Sequence, residues 1–366
     1  MKLKVSNTEL LKAVNTVSRA IEAKSSVPAL MCVYLQASGQ RLFLKGTGDE
    51  LSIITSINAA VENEGEVLIP FRTLSEIIRT YPDAEVTLSS DENNVIQIIC
   101  QNSDVKIQGS DKNEYPKFAA VNTDNFITLS NITLRSMIRE TSFVCSFQEG
   151  LSPIMNGILV ESSEKQLTLT ALNGYMLAVR TEKTEDYTVL KCVVPVKSMT
   201  EILKVLSIYE DSDAMFHVSD NKFVVNIGDT QIISNLLAGE FVNYRAIIPN
   251  ETNTIVKIER KNIINCVERA SILFSEIKNG LIKMSIEDNY MVITSESEIG
   301  RTLDNIQINK NGDDLIVAFN PRLIYEILKN ISDSRFIMEF RDALSPVLCK
   351  PVDSEKYLYL LMPLRY

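Results

Sequence analysis

Apolar residues recur at helical spacing at Val196, Met199, Ile202, Leu203 and Leu206, directly after the strand-like run Val193, Val194, Pro195. This pattern predicts a strand that runs into an amphipathic helix with one buried face. It occurs twice more, over residues 68–79 and 317–329. Glu76, Glu201 and Glu326 fall at an equal step of 125 residues, and Ile77, Ile202 and Ile327 keep the same step. So do two sets of cations, Arg72/Lys197/Arg322 and Arg79/Lys204/Lys329. Three such stretches in register define an internal threefold repeat, with expected boundaries at 1–124, 125–252 and 253–366.

The rest of each unit follows one order. In the first, Leu3 and Val5 alternate as a strand, and a helix begins near Asn7-Thr8-Glu9, with Asn7 or Thr8 as its cap. Leu10, Leu11, Val14, Val17 and Ala20 form its apolar face. Two β-rich runs joined at Ser38-Gly39-Gln40 read as a hairpin, and further short strands flank the second helix. The middle unit repeats this with Leu134, Met137, Ile138 and Thr141 on its first helix, and the third with Ile263, Ile264, Val267 and Ala270. Two helices and about seven or eight short strands per unit, mostly without helices between neighbouring strands, predict an α+β architecture: antiparallel sheet with helices on one face.

At 366 residues, with a composition 45% hydrophobic and 23% charged, the chain can bury a core in each unit. The start, Met1-Lys2-Leu3-Lys4-Val5, alternates and lacks the apolar run of a signal peptide. No apolar run reaches about 18 residues, so no membrane partner is expected. Six separated cysteines, at 32, 100, 145, 192, 266 and 349, read as buried reduced thiols of a cytoplasmic protein.

Candidate chemistry is sparse. The single histidine, His217, sits in an alternating strand and is expected to be structural. No histidine pair, cysteine cluster or phosphate-binding glycine loop points to a metal or a cofactor, and neither is expected. Lys45-Gly46-Thr47-Gly48-Asp49 has neither the spacing nor the helix of such a loop. Catalytic residues are therefore expected to be absent, and the function to be binding.

The charge pattern changes the picture. The net charge of −10 argues against nucleic acid when taken over the whole chain. Yet Arg72 and Arg79 lie close to two helical turns apart on one face, as do Lys197 and Lys204, and Arg322 and Lys329. The first helices and their surroundings add Lys12, Arg19, Lys24, Arg135, Arg139, Lys261 and Arg269. A basic surface contributed equally by three units suits phosphate contact without sequence readout. A domain of this size is roughly 35 Å across. Three in a closed ring leave a hole of only about 3 Å radius, whereas six leave about 17 Å, enough for duplex DNA. A ring around DNA then needs a head-to-tail homodimer. The alternative is a three-repeat protein-interaction scaffold with no DNA role.

Four further motifs carry a resemblance: Met155-Asn156-Gly157, residues 171–178 (Ala-Leu-Asn-Gly-Tyr-Met-Leu-Ala), Phe241-Val242-Asn243-Tyr244-Arg245, and Met362-Pro363-Leu364-Arg365. With the threefold repeat they make the whole chain resemble the bacterial DNA sliding clamp family, the β subunit of replicative DNA polymerase III. The resemblance implies three tandem repeats of the DNA-clamp fold, a dimeric ring of six domains and a non-catalytic processivity factor. It implies partners in duplex DNA, a second copy of the chain, the replicative polymerase catalytic subunit, the clamp loader complex and other proteins carrying a clamp-binding motif. It also implies a groove for a peptide with Gln and a Leu-Phe-like pair. The expected apolar pocket is Leu177, Val242, Ile247, Leu360 and Met362, with Met155, Gly174, Pro363, Leu364 and Arg365 at the rim. Leu172, Tyr175, Met176 and Val242 depart from the family pattern there, as does the terminal Tyr366, which points to a more apolar peptide preference. For the dimer contact, Ile272 and Leu273 match the family's apolar pair, with Val105 and Ile107 as their expected partners.

Overall fold

The computed structural model describes residues 1–116, 126–147, 152–209, 212–274 and 280–365. The expected boundary at 124/125 and Tyr366 lie outside these residues. Among the described residues, six α-helices fall where the periodicity places them: α1 (Asn7–Val17), α2 (Phe71–Thr80), α3 (Asn131–Ser142), α4 (Val196–Leu206), α5 (Arg260–Ile272) and α6 (Pro321–Asn330). Their buried residues are the periodic ones, such as Leu74 and Ile78 in α2, Met199 and Ile202 in α4, and Ile324, Ile327 and Leu328 in α6.

The chain separates into two compact units, one of residues 1–135 and 197–236, the other of residues 136–196 and 237–366. In the first unit, a five-stranded antiparallel sheet runs Ala60–Asn63, Lys2–Ser6, Glu85–Ser90, Val95–Cys100, Ser103–Gln108. An eight-stranded sheet runs Ile127–Ser130, Asp213–Ser219, Lys222–Ile227, Thr230–Asn235, Leu51–Asn58, Arg41–Thr47, Cys32–Ser38, Gly65–Pro70. Its middle seam joins repeat two to repeat one, with Thr230–Ser234 registered on Leu51–Thr55.

The second unit is built alike. A nine-stranded sheet runs Leu190–Pro195, Gly157–Ser163, Gln166–Leu172, Met176–Lys183, Tyr357–Leu361, Val347–Pro351, Arg335–Phe340, Thr254–Glu259, Asn309–Gly312. Here the seam joins repeat two to repeat three, with Met176 opposite Leu361 and Arg180 opposite Tyr357. A four-stranded sheet runs Gly300–Gln307, Tyr290–Ser297, Ile282–Glu287, Leu315–Phe319.

The helix starts differ from the expected caps. Asn7 is the first residue of α1 and does not cap it. Its amide instead donates to the carbonyls of Ile78, Tyr81 and Pro82, each at 3.1 Å, and so satisfies orphan acceptors at the end of α2. Thr8 donates to Asp83 at 2.5 Å. The same device recurs in the other repeats. Asn131 donates to Leu206 O at 2.8 Å and to Tyr209 O, and Arg260 donates to Leu328 O at 2.8 Å and Lys329 O at 3.1 Å. One residue per repeat thus fixes the first helix against the exposed end of the second.

Gly46 shows how closely α1 lies on its sheet: a Cβ there would meet Val17 O at 2.3 Å. His217 is buried in its strand, with Phe126 edge-on at a centroid distance of 4.7 Å. All six cysteines are free and buried.

Candidate functional site

Several residues expected to line the groove gather on one face of the nine-stranded sheet. Cross-strand pairing aligns Val193 with Leu159, and Leu172 with Leu177, Leu177 with Leu360 and Leu360 with Leu348. Strand alternation turns these side chains to a common side. Ile154, Leu159, Leu172, Leu177, Val193, Tyr244, Leu348 and Leu360 form one buried cluster, against which Met155, Val179, Leu237, Phe241, Ile248 and Leu358 pack. Gly157 is required there, because a Cβ would lie 2.5 Å from Val193 Cγ1 and 2.7 Å from Leu237 Cδ1.

The expected pocket residues therefore separate into a floor and a mouth. Leu172, Met176, Leu177 and Leu360 are buried in the chain's own core. Met362 (38% exposed), Val242 (40%), Ile247 (44%) and Tyr175 (53%) leave apolar surface open above them. Gly174 and Arg365 are exposed, and Met155, Pro363 and Leu364 are half-buried.

Two local devices hold the mouth in place. Asn173 Oδ1 accepts from the backbone N–H groups of Tyr175 (2.9 Å) and Met176 (2.7 Å), while its amide donates to Val144 O at 2.8 Å. This Asx turn sends Tyr175 outward and Met176 inward. The C-terminal segment is tied at both ends: Met362 N–H donates to Tyr175 O (2.9 Å) and Leu364 N–H to Ala318 O (2.7 Å).

At the next rung, Glu161 accepts from Tyr244 Oη at 3.2 Å and Arg245 Nη2 at 3.3 Å, with Lys191 Nζ at 3.6 Å. The Arg245 guanidinium lies over the Tyr244 ring at 4.5 Å, and burial pushes the Tyr244 hydroxyl up from its ordinary pKa. The Cys145 thiol donates to Gly157 O at 3.8 Å. Burial pushes it up to about 12, so it stays protonated at neutral pH and is not a nucleophile. Chemically, the site can bury apolar side chains and offer a few backbone and side-chain hydrogen bonds.

Sequence reasoning missed Leu159, Val193 and Leu348 as part of this floor, because only long-range strand pairing brings them together, and it missed Ile154, which stands in the short 3-10 helix Pro153–Asn156. Tyr244 lay inside a quoted motif and was the one signal available.

The basic residues are placed helix by helix. Lys12, Arg72, Arg79, Arg139, Lys197, Lys204, Lys261, Arg322 and Lys329 are exposed, as is Lys24 in the turn after α1, whereas Arg19 and Arg135 are half-buried. Several are engaged locally. Lys12 Nζ lies 5.5 Å from the Tyr209 ring centroid, and Arg79 Nη2 donates to Asn15 Oδ1 at 3.2 Å. Arg139 reaches Glu140 at 3.6 Å, and Arg322 Nη2 donates to Phe274 O at 3.4 Å. Glu201 gathers Lys204 (2.6 Å) and Arg19 (3.4 Å). Arg269 is drawn to Asp304 at 2.6 Å and to Cys266.

Of the expected dimer residues, Val105 and Ile107 lie on a sheet edge, whereas Ile272 ends α5 and Leu273 caps it. Ser103–Gln108 ends the five-stranded sheet and Gly300–Gln307 ends the four-stranded one. Ile272 is 64% exposed, and Ile299 and Leu303 are exposed as well. Ile107 sits opposite Ile96 on that edge strand and is buried in the single chain. Val105, opposite Ile98, is half-buried. Ile299 and Leu303 were not singled out from the sequence, although an isoleucine beside Gly300 at a hairpin turn is a usable signal.

Among the described residues no three His, Cys, Asp or Glu side chains are grouped to hold a metal, and no helix is long and apolar enough to cross a membrane.

Comparison with known proteins finds relatives over the full length. Residues 1–119, 128–243 and 245–365 match the N-terminal, central and C-terminal domain models of the DNA polymerase III beta subunit. The beta sliding clamp of Staphylococcus aureus is 28% identical over 376 aligned residues, covering 100% of this chain and 99% of the relative. The crystal structure of a putative DNA polymerase III beta subunit from Eubacterium rectale superposes with a TM-score of 0.96 at 29% identity, covering 100% of both chains. The sliding clamp of Bacillus subtilis, at 24% identity, has the same fold with a TM-score of 0.96 over 100% of this chain and 99% of that one. Three clamp repeats in order along the whole chain make it a member of the DNA polymerase III beta subunit family, the sliding clamps that serve the replicative polymerase as non-catalytic processivity factors.

Proposed function

We propose that two copies of this chain close head to tail into a ring of six repeats around duplex DNA. The repeat boundaries are set at 124/125 and 252/253. Lys12, Arg19, Lys24, Arg72, Arg79, Arg135, Arg139, Lys197, Lys204, Lys261, Arg322 and Lys329 face the phosphates. Contact is made to the backbone alone, so the ring slides without sequence preference.

The edges Ser103–Gln108 and Gly300–Gln307 meet at the dimer contact, with Val105, Ile107, Ile272 and Leu273 in it. The groove of Met155, Leu172, Gly174, Tyr175, Met176, Leu177, Val242, Ile247, Leu360, Met362, Pro363, Leu364 and Arg365 takes a short peptide from the polymerase catalytic subunit, the clamp loader complex and other clamp-binding proteins in the cytoplasm. Buried leucines supply a rigid floor, and the four open apolar side chains supply the contact area.

The observation that carries the reading is the repeated cation pair on α2, α4 and α6 at a constant step in a chain of net charge −10. Only a function that uses the three repeats alike gives those positions a common purpose. The experiment is retention on DNA. Protein assembled on nicked circular duplex should stay bound through gel filtration and be released when the circle is linearised. Equal loss from both forms overturns the ring. Sedimentation should give a dimer at micromolar concentration; a monomer overturns the head-to-tail contact.

A further inference from the structure

We propose that Glu76, Glu201 and Glu326 are built-in competitors of DNA phosphate, which weaken the grip of the basic helices so that the ring moves freely. The inference rests on the reading that those helices face DNA.

Each of these acids lies four residues after one cation of its helix and three before the other, so it shares a face with both. A basic face that serves only to hold phosphate has no use for a carboxylate at its centre, and here one stands in all three copies. In α4 the consequence is visible. Glu201 Oε1 takes Lys204 Nζ at 2.6 Å, and Glu201 Oε2 takes Arg19 Nη1 at 3.4 Å. One carboxylate thus holds two of the cations assigned to the DNA-facing surface.

Both cations keep solvent access, and ion pairs of that kind are weak enough to exchange with an incoming phosphate. When a phosphate arrives, the cation turns to it. When the duplex advances, the cation falls back to the glutamate within reach. The loss of each phosphate contact is partly offset at once, which lowers the barrier between one backbone register and the next. The same arrangement subtracts from the number of counterions released at equilibrium, and hence from the salt dependence of binding.

A purely structural role is available for Glu201, since its pair with Arg19 also joins the turn after α1 to α4. Glu76 is exposed and Glu326 half-buried, and among the described residues neither forms an ion pair, so they carry the test without that ambiguity.

The full-length Glu76→Gln/Glu326→Gln protein is compared with the wild type on a fluorescent duplex by anisotropy, over about 50 to 200 mM salt. Of the three glutamates Glu201 is the one that holds cations, Lys204 and Arg19, and each of these that Glu201→Gln frees to meet a phosphate adds about 0.9 to the log–log salt slope, which is about 3.5-fold in affinity across that fourfold range. The double variant removes two negative charges from beside the cations, so it should bind tighter at low salt and diffuse more slowly along DNA in single-molecule tracking. Adding Glu201→Gln should extend both effects. Unchanged affinity and diffusion in the double variant overturn the inference. An Arg72→Gln/Lys197→Gln/Arg322→Gln protein separates the two readings. If it weakens binding while the glutamate variants change nothing, only the competitor role falls. If it leaves binding unchanged, the DNA-facing assignment falls, and the competitor role with it.

Discussion

Truncating the mouth of the groove should weaken peptide binding without unfolding the protein, whereas truncating its floor should do the reverse. Met362, Val242, Ile247 and Tyr175 keep between 38% and 53% of their surface open. Full burial of a large apolar side chain is worth about 1.5–3 kcal/mol, so closing the open 38% of Met362 under a ligand is worth roughly 0.6–1.1 kcal/mol. Met362→Ala should therefore weaken a peptide bearing Gln and a Leu-Phe pair by about three- to sevenfold. Truncating Met362, Val242 and Ile247 together should cost about 2–3.5 kcal/mol if the terms add, on the order of 30- to 400-fold.

Leu177 is different: it is fully buried, and Leu→Ala there should cost about 2–5 kcal/mol of stability through the lost burial and the cavity left behind. Calorimetric titration with the peptide, run beside urea unfolding on the same samples, separates the two. The reasoning is refuted if the triple mouth variant binds within twofold of wild type, or if Leu177→Ala unfolds at the wild-type midpoint.

Three other outcomes follow from the packing. Arg180 is buried and its guanidinium meets Glu140 (2.7 Å), Glu182 (2.5 Å) and the carbonyls of Thr181 (2.6 Å) and Lys356 (3.2 Å). Arg180→Met leaves Glu140 buried beside only Arg139 and should cost roughly 3–5 kcal/mol in urea unfolding, with recovery in Arg180→Met/Glu140→Gln; a loss under about 1 kcal/mol would contradict this. Burial pushes the thiols of Cys145, Cys192 and Cys349 up to about 12, so Ellman's reagent at pH 8 should react slowly with the native protein and rapidly with all six thiols once it is denatured. Prompt native labelling of most thiols would refute the burial. Leu303→Glu, at an exposed edge position, should leave the melting temperature unchanged and weaken dimerisation by about tenfold or more, because a charge is then buried unpaired in the contact; an unchanged sedimentation profile would remove Leu303 from the interface.

The helices were legible because their signal is local. Met199 and Ile202 are buried for the same reason that they stand three residues apart, and the equal step of Glu76, Glu201 and Glu326 exposes the repeat without any contact being known. Sheet partners were not legible in this way. Nothing near Thr230–Asn235 says that it pairs with Leu51–Asn58, since that choice is made by two surfaces far apart in sequence. Asn7 shows the limit of local rules. Asparagine at a helix start usually accepts a backbone N–H, but its amide also donates, and here the unsatisfied carbonyls after Ile78 use the donor side. The groove divided along the same line. Its motif residues were readable as short strings, while Leu159 and Val193 join it only through strand register.

The two seams of the middle repeat bear on how this chain can be taken apart. Residues 128–243 look like an independent module, but excision would strip Thr230–Asn235 and Met176–Lys183 of their outer neighbours and leave two raw strand edges in one fragment. Unpaired edges of that length template pairing with any similar strand. A laboratory fragment of the middle repeat should therefore be obtained as aggregates or swapped oligomers, whereas a cut within a surface turn of either outer repeat leaves both seams zipped. The three repeats share one pattern in sequence, yet the central one is a splice that its neighbours complete.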